Sequence, residues 1–269
     1  MTTATLTTTD VRTTDRDRAV PARIPFHRIL GVELRKMFDT RSGFWLMASI
    51  LILAVLATGA VILFAPKDQI DYGAFGSAVG VPMTVILPMI AVLAVSSEWS
   101  QRSALTTFTL VPSRARVIGA KGLLTVAIGV VSMLVALGVG AVGNVVGSAL
   151  AGVDQTWNIS AAQFGQIVLA DQIGMLMGFM LGVLLRSSPA AIVGYFVYSL
   201  VLPGVSGALT NANDWWHQHV GWFDLTWASG NLYDDMSRQE WAQLGVTTLI
   251  WLVLPLAIGL RALMRAEVK

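Results

Sequence analysis

Residues 44–64 read FWLMASILILAVLATGAVILF, a run without a charged side chain. An α-helix rises about 1.5 Å per residue, so about 20 apolar residues are needed to cross the ~30 Å of hydrocarbon in a bilayer. This run has that length and is predicted to be a transmembrane helix. Five further apolar stretches follow it, and we predict spans at residues 77–97, 117–140, 164–185, 189–209 and 241–263. The third pattern stays apolar to Leu150, so that helix is predicted either to protrude from the membrane or to break near Gly143 and Asn144.

The composition of the whole chain agrees with a membrane protein. Of its 269 residues, 55% are hydrophobic and 13% charged, and the mean hydropathy is +0.67. Soluble proteins carry about a quarter of their residues as Asp, Glu, Lys or Arg, which is far more than this chain has. We therefore expect an all-α, multi-pass protein of the cell membrane, with a six-helix transmembrane domain over residues 44–263.

The charge and the missing cysteines exclude several classes of function. A net charge of +2, with the basic residues in short clusters, does not indicate a nucleic-acid-binding protein. The absence of cysteine excludes disulfides, thiolate metal sites and a cysteine nucleophile. The histidines His27, His217 and His219 have no carboxylate spaced as in a zinc-binding helix, so no metal site is expected.

The segments outside the spans differ in character. Residues 1–22 are polar and are predicted to form a disordered arm, and residues 264–269 form a short tail. Residues 23–43 place apolar side chains at helical spacing and basic side chains on the other faces. This pattern predicts an amphipathic helix on the membrane surface; a solvated helix packed on protein is the alternative.

The distribution of basic residues predicts the orientation of the chain. Of the 18 lysines and arginines, eight precede Phe44, four lie from Arg102 to Lys121, one is Arg186 and three follow Gly259. The other two, Lys67 and Arg238, lie on the opposite side of the predicted spans. The positive-inside rule therefore places both termini in the cytoplasm.

Local signals predict two helix starts and two distortions. Ser188 before Pro189 is typical of an N-cap followed by a first-turn proline. Ser237 and Glu240 form a capping-box pattern, so the sixth helix is predicted to begin near Arg238. Pro82 and Pro88 lie inside the second span, where each removes a backbone hydrogen bond and favours a kink.

Two motifs bear on enzymatic function, the P-loop that binds nucleotides and the serine motif of a protease. The chain has no Gly-rich P-loop for a nucleotide phosphate, so ATP binding of that kind is not expected on this chain. Residues 204–207, Gly-Val-Ser-Gly, resemble the serine motif of rhomboid intramembrane proteases. Ser206 would need a histidine base within hydrogen-bond reach, which only His217 or His219 could supply, from a loop. An intramembrane serine hydrolase centred on Ser206 therefore stays as an alternative function.

The segment between the second and third spans carries the most specific pattern. It begins at Glu98-Trp99, continues through a hydroxyl-rich stretch, and ends in Pro112-Ser-Arg114-Ala-Arg116, with Lys121 opening the third span. In this order it resembles the first cytoplasmic loop of ABC-2-type export permeases, and residues 33–36, Glu-Leu-Arg-Lys, resemble the elbow helix of the same family. The match to six spans with both ends inside extends the resemblance over residues 26–265, although Arg102-Ser103 stands where the family often has Gly-Thr.

The resemblance implies a permease subunit without its own motor. It implies docking of residues 98–116, as a coupling loop, onto two copies of a separate ABC ATPase subunit that binds ATP and magnesium, and pairing with a second permease half, identical or homologous. No cofactor, catalytic residue or metal is implied on this chain. The coupling residues would be Glu98, Trp99, Arg102, Leu105, Phe108, Pro112, Arg114 and Arg116, together with Glu33, Arg35 and Lys36 on the elbow. Aromatic and arginine side chains are typical of interface cores, but the same residues would also suit contact with anionic lipid headgroups.

Asp171 is the one carboxylate predicted deep within a span, where an aspartate costs about 2.5–3.5 kcal/mol on insertion scales. It shares a helical stripe with Gly174, Gly178 and Gly182, so it is predicted to face protein. At about the same height lie Thr58, Thr84, Ser132 and Thr247 or Thr248, which predicts a polar layer along a substrate pathway. Asp171 then either orients a substrate group or makes a structural hydrogen bond, and an ion-coupled carrier with Asp171 as its titrating acid is a further alternative.

Residues 210–240 form an external segment rich in aromatic side chains and acids. Tryptophan favours the membrane–water boundary because its ring is apolar and its N–H is polar. We expect short helices in the outer leaflet, acting either as an exit gate or as an interfacial anchor. The gate residues would be Trp215, Trp216, Trp222 and Trp227.

Overall fold

The computed structural model describes residues 24–100 and 114–265, and over these ranges it contains helices and turns but no β-strand. The predicted arm at 1–22, most of the predicted coupling loop, and residues 266–269 of the tail lie outside the described residues. The helices are α1 Phe26–Asp39, α2 Arg41–Phe64, α3 Tyr72–Ser100, α4 Arg114–Ala151, α5 Ala161–Leu185, α6 Ser188–Phe196, α7 Leu202–Ala212, α8 Asp214–Phe223, α9 Leu225–Gly230, α10 Arg238–Thr248 and α11 Leu254–Arg265. A π-helical turn, Val197–Val201, joins α6 to α7, and another, Leu249–Val253, joins α10 to α11.

Six helical spans in the described ranges are long and apolar enough to cross a membrane, consistent with a multi-pass membrane protein. They are α2, α3, α4, α5, the continuous rod of α6 and α7, and the continuous rod of α10 and α11. The all-α, six-span architecture predicted from hydropathy is thus confirmed. Each helix extends a few residues beyond the predicted span, because hydropathy marks the apolar stretch and not the end of the backbone hydrogen bonding.

The third span is longer than predicted and does not break. Helix α4 runs unbroken through Gly143 and Asn144 to Ala151. Asn144 is fully buried, and its side-chain amide donates to the backbone carbonyl of Thr156 at 3.1 Å. The asparagine therefore anchors the 152–160 loop to the helix instead of interrupting it.

Helix α5 lies at the centre of the bundle and packs against α3, α4, α6 and α11. Close approach to α3 depends on glycine: a Cβ built on Gly178 would collide with the Pro88 carbonyl, and one on Gly182 would lie 3.2 Å from the Val92 carbonyl oxygen. The small-residue stripe predicted beside Asp171 therefore packs α5 on α3.

A second close approach joins α4 to α2 and α3. A Cβ on Gly143 would collide with the Thr58 methyl group, and one on Gly147 would lie 2.9 Å from the Phe75 ring. Phe75 is fully buried, so its ring occupies the space that these two glycines leave. The stripe of small residues on the third span is accounted for by helix packing within the chain.

The helix ends follow the local sequence with one correction. The capping box of Ser237 and Glu240 is present, and the sixth span begins at Arg238 as predicted. The N-cap of the fifth span is Ser187 and not Ser188. Ser188 lies inside the first turn, where its hydroxyl is 2.8 Å from the Ser96 hydroxyl, so its side chain is used to join α6 to α3.

The fifth and sixth spans share a distortion. Each π-helical turn is followed by a proline, Pro203 or Pro255, and the last four residues up to each proline read Leu-Val-Leu-Pro in both spans. Proline has no N–H and its ring crowds the carbonyl four residues earlier, so a wider turn before it lets the helix continue.

Candidate functional site

Two buried polar groups are candidates for function, one at an end of the bundle and one in its interior. We call the end where α3 ends and α4 begins the basic end, and the end that carries α8 and α9 the acidic end. At the basic end, Glu33 of α1 and Lys121 of α4 form an ion pair of 2.5 Å, with Glu33 only 3% exposed and Lys121 only 5% exposed. Lys121 also donates to the Ala94 carbonyl of α3 at 2.8 Å. One lysine thus joins three helices.

Lys36 completes this basic-end cluster. Its ammonium group lies 2.7 Å from the second oxygen of Glu33, one helical turn along α1. Burial acts to raise the pKa of Glu33, but the charges and hydrogen bonds of Lys121 and Lys36 outweigh it and hold the pKa below its ordinary value. Glu33 is therefore an ionised carboxylate that is neutralised within the chain.

Several of the predicted coupling residues lie outside the described residues, namely Arg102, Leu105, Phe108 and Pro112. The side chain of Glu98 also lies outside them. Trp99 is half-buried and packs against the main apolar core, and Arg116 is half-buried near the start of α4. Arg114 donates to the Leu263 carbonyl of α11 at 3.2 Å. On α1, Arg35 and Lys36 are exposed, whereas Glu33 is buried beneath them.

Both ends of the predicted coupling loop are thus held by other helices. The α3 side of the loop is held through Lys121 to α1 and α4, and the α4 side is held by Arg114 to α11. Sequence reasoning marked Lys121 as the residue that opens the third span but did not identify its partner. A lysine inside an apolar helix pattern was the available signal.

The second candidate group centres on Asp171 of α5. Asp171 is 3% exposed, and neither carboxylate oxygen has a hydrogen-bond partner among the described residues. It lies about 15 Å from the start of α5 at the acidic end and about 21 Å from its other end, at 1.5 Å per residue. Asp171 faces protein as predicted, but no structural hydrogen bond holds it.

A released backbone carbonyl lies close to this aspartate. Pro88 cannot donate to the Thr84 carbonyl one turn earlier, and the Tyr195 hydroxyl donates to it instead, at 2.7 Å. The same hydroxyl oxygen would lie 3.6 Å from a Cβ on Gly174, which is one turn along α5 from Asp171. Pro88, one of the two prolines predicted to distort the second span, thus leaves a carbonyl free to accept a hydrogen bond from a tyrosine of the fifth.

No other member of the predicted polar layer is hydrogen-bonded to Asp171 in the described ranges. The Thr84 side chain is exposed on the surface of the bundle and donates to the Val81 carbonyl of its own helix. Thr247 is buried and likewise donates to its own helix, to Gln243 at 2.8 Å. Thr58 lies against Gly143, and Ser132 is buried on α4. Threonine bonds its own backbone readily, so equal depth did not imply contact.

Gln172 is a residue that the sequence reasoning missed. It is 7% exposed, and neither its amide nitrogen nor its amide oxygen has a partner among the residues the structure describes. Its side chain fills the space in front of Gly129 on α4, where a Cβ would collide with the amide. Gln172 therefore faces α4 while Asp171 faces α3 and α6, so the two polar side chains occupy different helix contacts.

The aromatic residues predicted to be external lie on α8 and α9, which lie between the fifth and sixth spans. Asn213 caps α8 and Asp224 caps α9, each by accepting backbone N–H bonds. Trp215 stacks on His219 at 4.5 Å between ring centres and is 56% exposed. Trp216 stacks on Phe223, Trp222 is half-buried and Trp227 is exposed.

A tryptophan links this aromatic segment to the distorted part of the sixth span. Trp251 lies in the π-helical turn, and its indole N–H donates to the Phe223 carbonyl at the end of α8, at 2.7 Å. That carbonyl has no partner within its own helix, so the tryptophan satisfies it. A movement of the sixth span would therefore be transmitted to α8.

The serine and histidine side chains form no catalytic arrangement in the described ranges. The buried Ser206 hydroxyl has no hydrogen-bond partner there, and His219 contacts the Trp215 carbonyl through Nδ1. Within the same ranges, no group of three or more His, Asp or Glu side chains is placed to hold a metal ion.

A scan against models of protein families finds no match, and a search of curated proteins finds no significantly similar sequence.

Proposed function

We propose that this chain is the membrane-spanning permease subunit of an ATP-driven exporter, coupled mechanically to a separate ATPase subunit at the basic end. In this proposal the basic end is cytoplasmic, and two permease halves together form the pathway. ATP and magnesium bind to the partner ATPase, not to this chain.

The observation that carries the proposal is the anchoring of both sides of the 101–113 segment. Lys121 holds the α3 side to Glu33 of α1, and Arg114 holds the α4 side to α11. Buried ion pairs and backbone hydrogen bonds resist separation because each broken contact leaves an unpaired polar group in apolar surroundings. A force applied to the loop by a partner at the basic end would thus be transmitted to at least four helices.

The loop composition supports a protein partner at this position. Trp99, Phe108 and Arg116 are the residue types enriched at the centres of protein interfaces. A loop that only rested on lipid would not need both of its ends fixed to the bundle. ATP-driven closure of a partner would then exchange inward for outward access by tilting spans.

The test is affinity purification of the tagged full chain from its native membranes in mild detergent. We expect a P-loop ATPase to co-purify, identified by mass spectrometry, and ATP hydrolysis to accompany it. The variant Phe108→Ala with Arg116→Ala is expected to lose the ATPase but keep its expression level, while Arg28→Ala on the exposed face of α1 serves as the matched control. Purification of the wild type without any ATPase would overturn the proposal.

Orientation is tested separately with single cysteines, because the chain has none of its own. A membrane-impermeant maleimide added to intact cells should label Gln155→Cys and not Ser113→Cys. The reverse pattern would invert the proposed orientation.

A further inference from the structure

The carboxylate of Asp171 is buried without compensation. In the part of the chain that the structure describes, no cation and no hydrogen-bond donor contacts either oxygen. On the neighbouring helices α4 and α11, the charged side chains lie at the basic end, about 14 residues or ~21 Å from Asp171 along the bundle. They are Arg114, Arg116, Lys121, Arg261 and Arg265. An ionised carboxylate in this position would cost several kcal/mol, so its surroundings favour the neutral carboxylic acid.

The titratable groups nearest to Asp171 are phenols. Tyr195 lies beside it on α6, but its hydroxyl proton is already donated to the Thr84 carbonyl. Tyr233 lies in the turn Asn231–Tyr233, which packs on α5, and its partial burial raises the pKa of this phenol. Tyr198 extends the group, with its ring centre 6.1 Å from that of Tyr195.

These surroundings favour one class of ligand over others. A metal cation would need about six oxygen ligands, and here the Thr84 carbonyl is occupied and no acidic cluster is present in the described ranges. Aromatic rings attract organic cations through their negative faces, most strongly where water is excluded. One carboxylate, several tyrosine rings and otherwise apolar walls therefore suit a hydrophobic organic cation.

Asp171 is positioned for access from the acidic end. The turn that carries Tyr233 packs on α5, and Tyr233 itself is 42% exposed. The aspartate is enclosed by its own chain, so a second permease copy cannot supply the missing positive charge without a rearrangement of this turn or of α3 and α6.

Resting on the proposed function, we propose that Asp171, with Tyr195 and Tyr233, binds the positively charged group of the transported molecule, a hydrophobic organic cation. A proton occupies the carboxylate when the site is empty. Binding converts the carboxylic acid to a carboxylate paired with the cation, and the proton leaves to water. The charge at the site is unchanged by the exchange.

The test is equilibrium binding to the purified full chain in lipid nanodiscs, without ATP or ATPase. The probe is tetraphenylphosphonium, and the control ligand is tetraphenylborate, which has nearly the same shape and the opposite charge. We expect saturable binding of the cation alone, weaker binding as the pH falls because protons compete, and release of about one proton per cation bound in weakly buffered solution.

The variant Asp171→Asn should weaken cation binding by about tenfold or more, as expected for loss of a desolvated charge contact. Asp154→Asn, an exposed acid in the loop before α5, is the matched control and should bind as the wild type does. Tyr233→Phe should keep most of the affinity, whereas Tyr233→Leu should lose about threefold or more because the ring is removed.

Three results would overturn the inference: no binding of the cation to the wild type, equal binding of the anion, or binding without proton release. Proton release is measured on the wild type and so does not depend on whether a variant folds. Co-purification of an ATPase is unaffected by these outcomes, so failure of the cation site and failure of the exporter proposal are distinguished.

Discussion

The ion pair between Glu33 and Lys121 makes a quantitative prediction. Removing one partner of a buried ion pair costs about 3–5 kcal/mol, because the other charge is left without compensation. In Lys121→Met, Glu33 keeps its contact with Lys36, so we expect a loss near the lower end, about 3 kcal/mol. The change is measured as the free energy of unfolding of the full chain in mixed detergent micelles.

Lys36→Met is the matched control, since it removes a lysine from the same carboxylate. The Lys36 side chain is 44% exposed, against 5% for Lys121. An exposed pair contributes at most about 1 kcal/mol, so the control should lose much less than Lys121→Met. The double variant Glu33→Met with Lys121→Met removes both charges and should recover most of the lost stability. Equal losses for the two single lysine variants would refute the reasoning.

The pH dependence has a definite sign. In the wild type, the lowered pKa of Glu33 stabilises the fold above its ordinary value of 4.5, and this contribution is lost as the pH falls through the lowered pKa. In Lys121→Met, the effect of burial is opposed only by Lys36, so the pKa of Glu33 rises. The stability difference between wild type and variant should therefore shrink as the pH falls from neutral through the ordinary value of 4.5 and below it. A difference that grew on acidification would contradict this account.

Two further predictions concern helix packing. Gly178→Leu should destabilise the chain by about 1–3 kcal/mol or more, because the new side chain would collide with the backbone at Pro88. Gly165→Leu on the same helix is the control: its side chain would enter open space, so the same unfolding assay should show almost no change. Tyr195→Phe should lower the free energy of unfolding by about 1–3 kcal/mol, because it leaves the Thr84 carbonyl unpaired. In a double-mutant cycle, Pro88→Ala should remove most of that loss, because alanine restores the backbone N–H that bonds this carbonyl. Additive effects of the Tyr195 and Pro88 variants would show that the tyrosine is not compensating for the proline.

The sequence was sufficient for those features that depend on local composition. A bilayer requires about 20 apolar residues for each helix, so six spans followed from hydropathy alone. The capping box at Ser237 was correct because its two partners are three residues apart. At Ser187 and Ser188, two adjacent serines satisfy the same capping rule, and only the backbone at residue 187 distinguishes them.

Local sequence patterns did not predict the contacts between residues that are far apart in the chain. Glu33 and Lys121 are 88 residues apart, and Tyr195 and Thr84 are 111 apart. Depth in the membrane placed Thr84 beside Asp171, but rotation of the helix turned its side chain to the outside and left its carbonyl facing the site. The position of a residue in the sequence sets its depth in the membrane, whereas helix packing sets the direction in which its side chain points.

The central claim is that residues 98–116 dock onto a separate ATPase, and photo-crosslinking in native membranes tests it most directly. A photoreactive amino acid is placed at Phe108, and at Asp154 as a control in a loop predicted to lie on the other side of the membrane. We predict that position 108 becomes crosslinked to a P-loop ATPase, identified by mass spectrometry, and that position 154 does not. Crosslinking of position 108 to lipid alone would contradict the account.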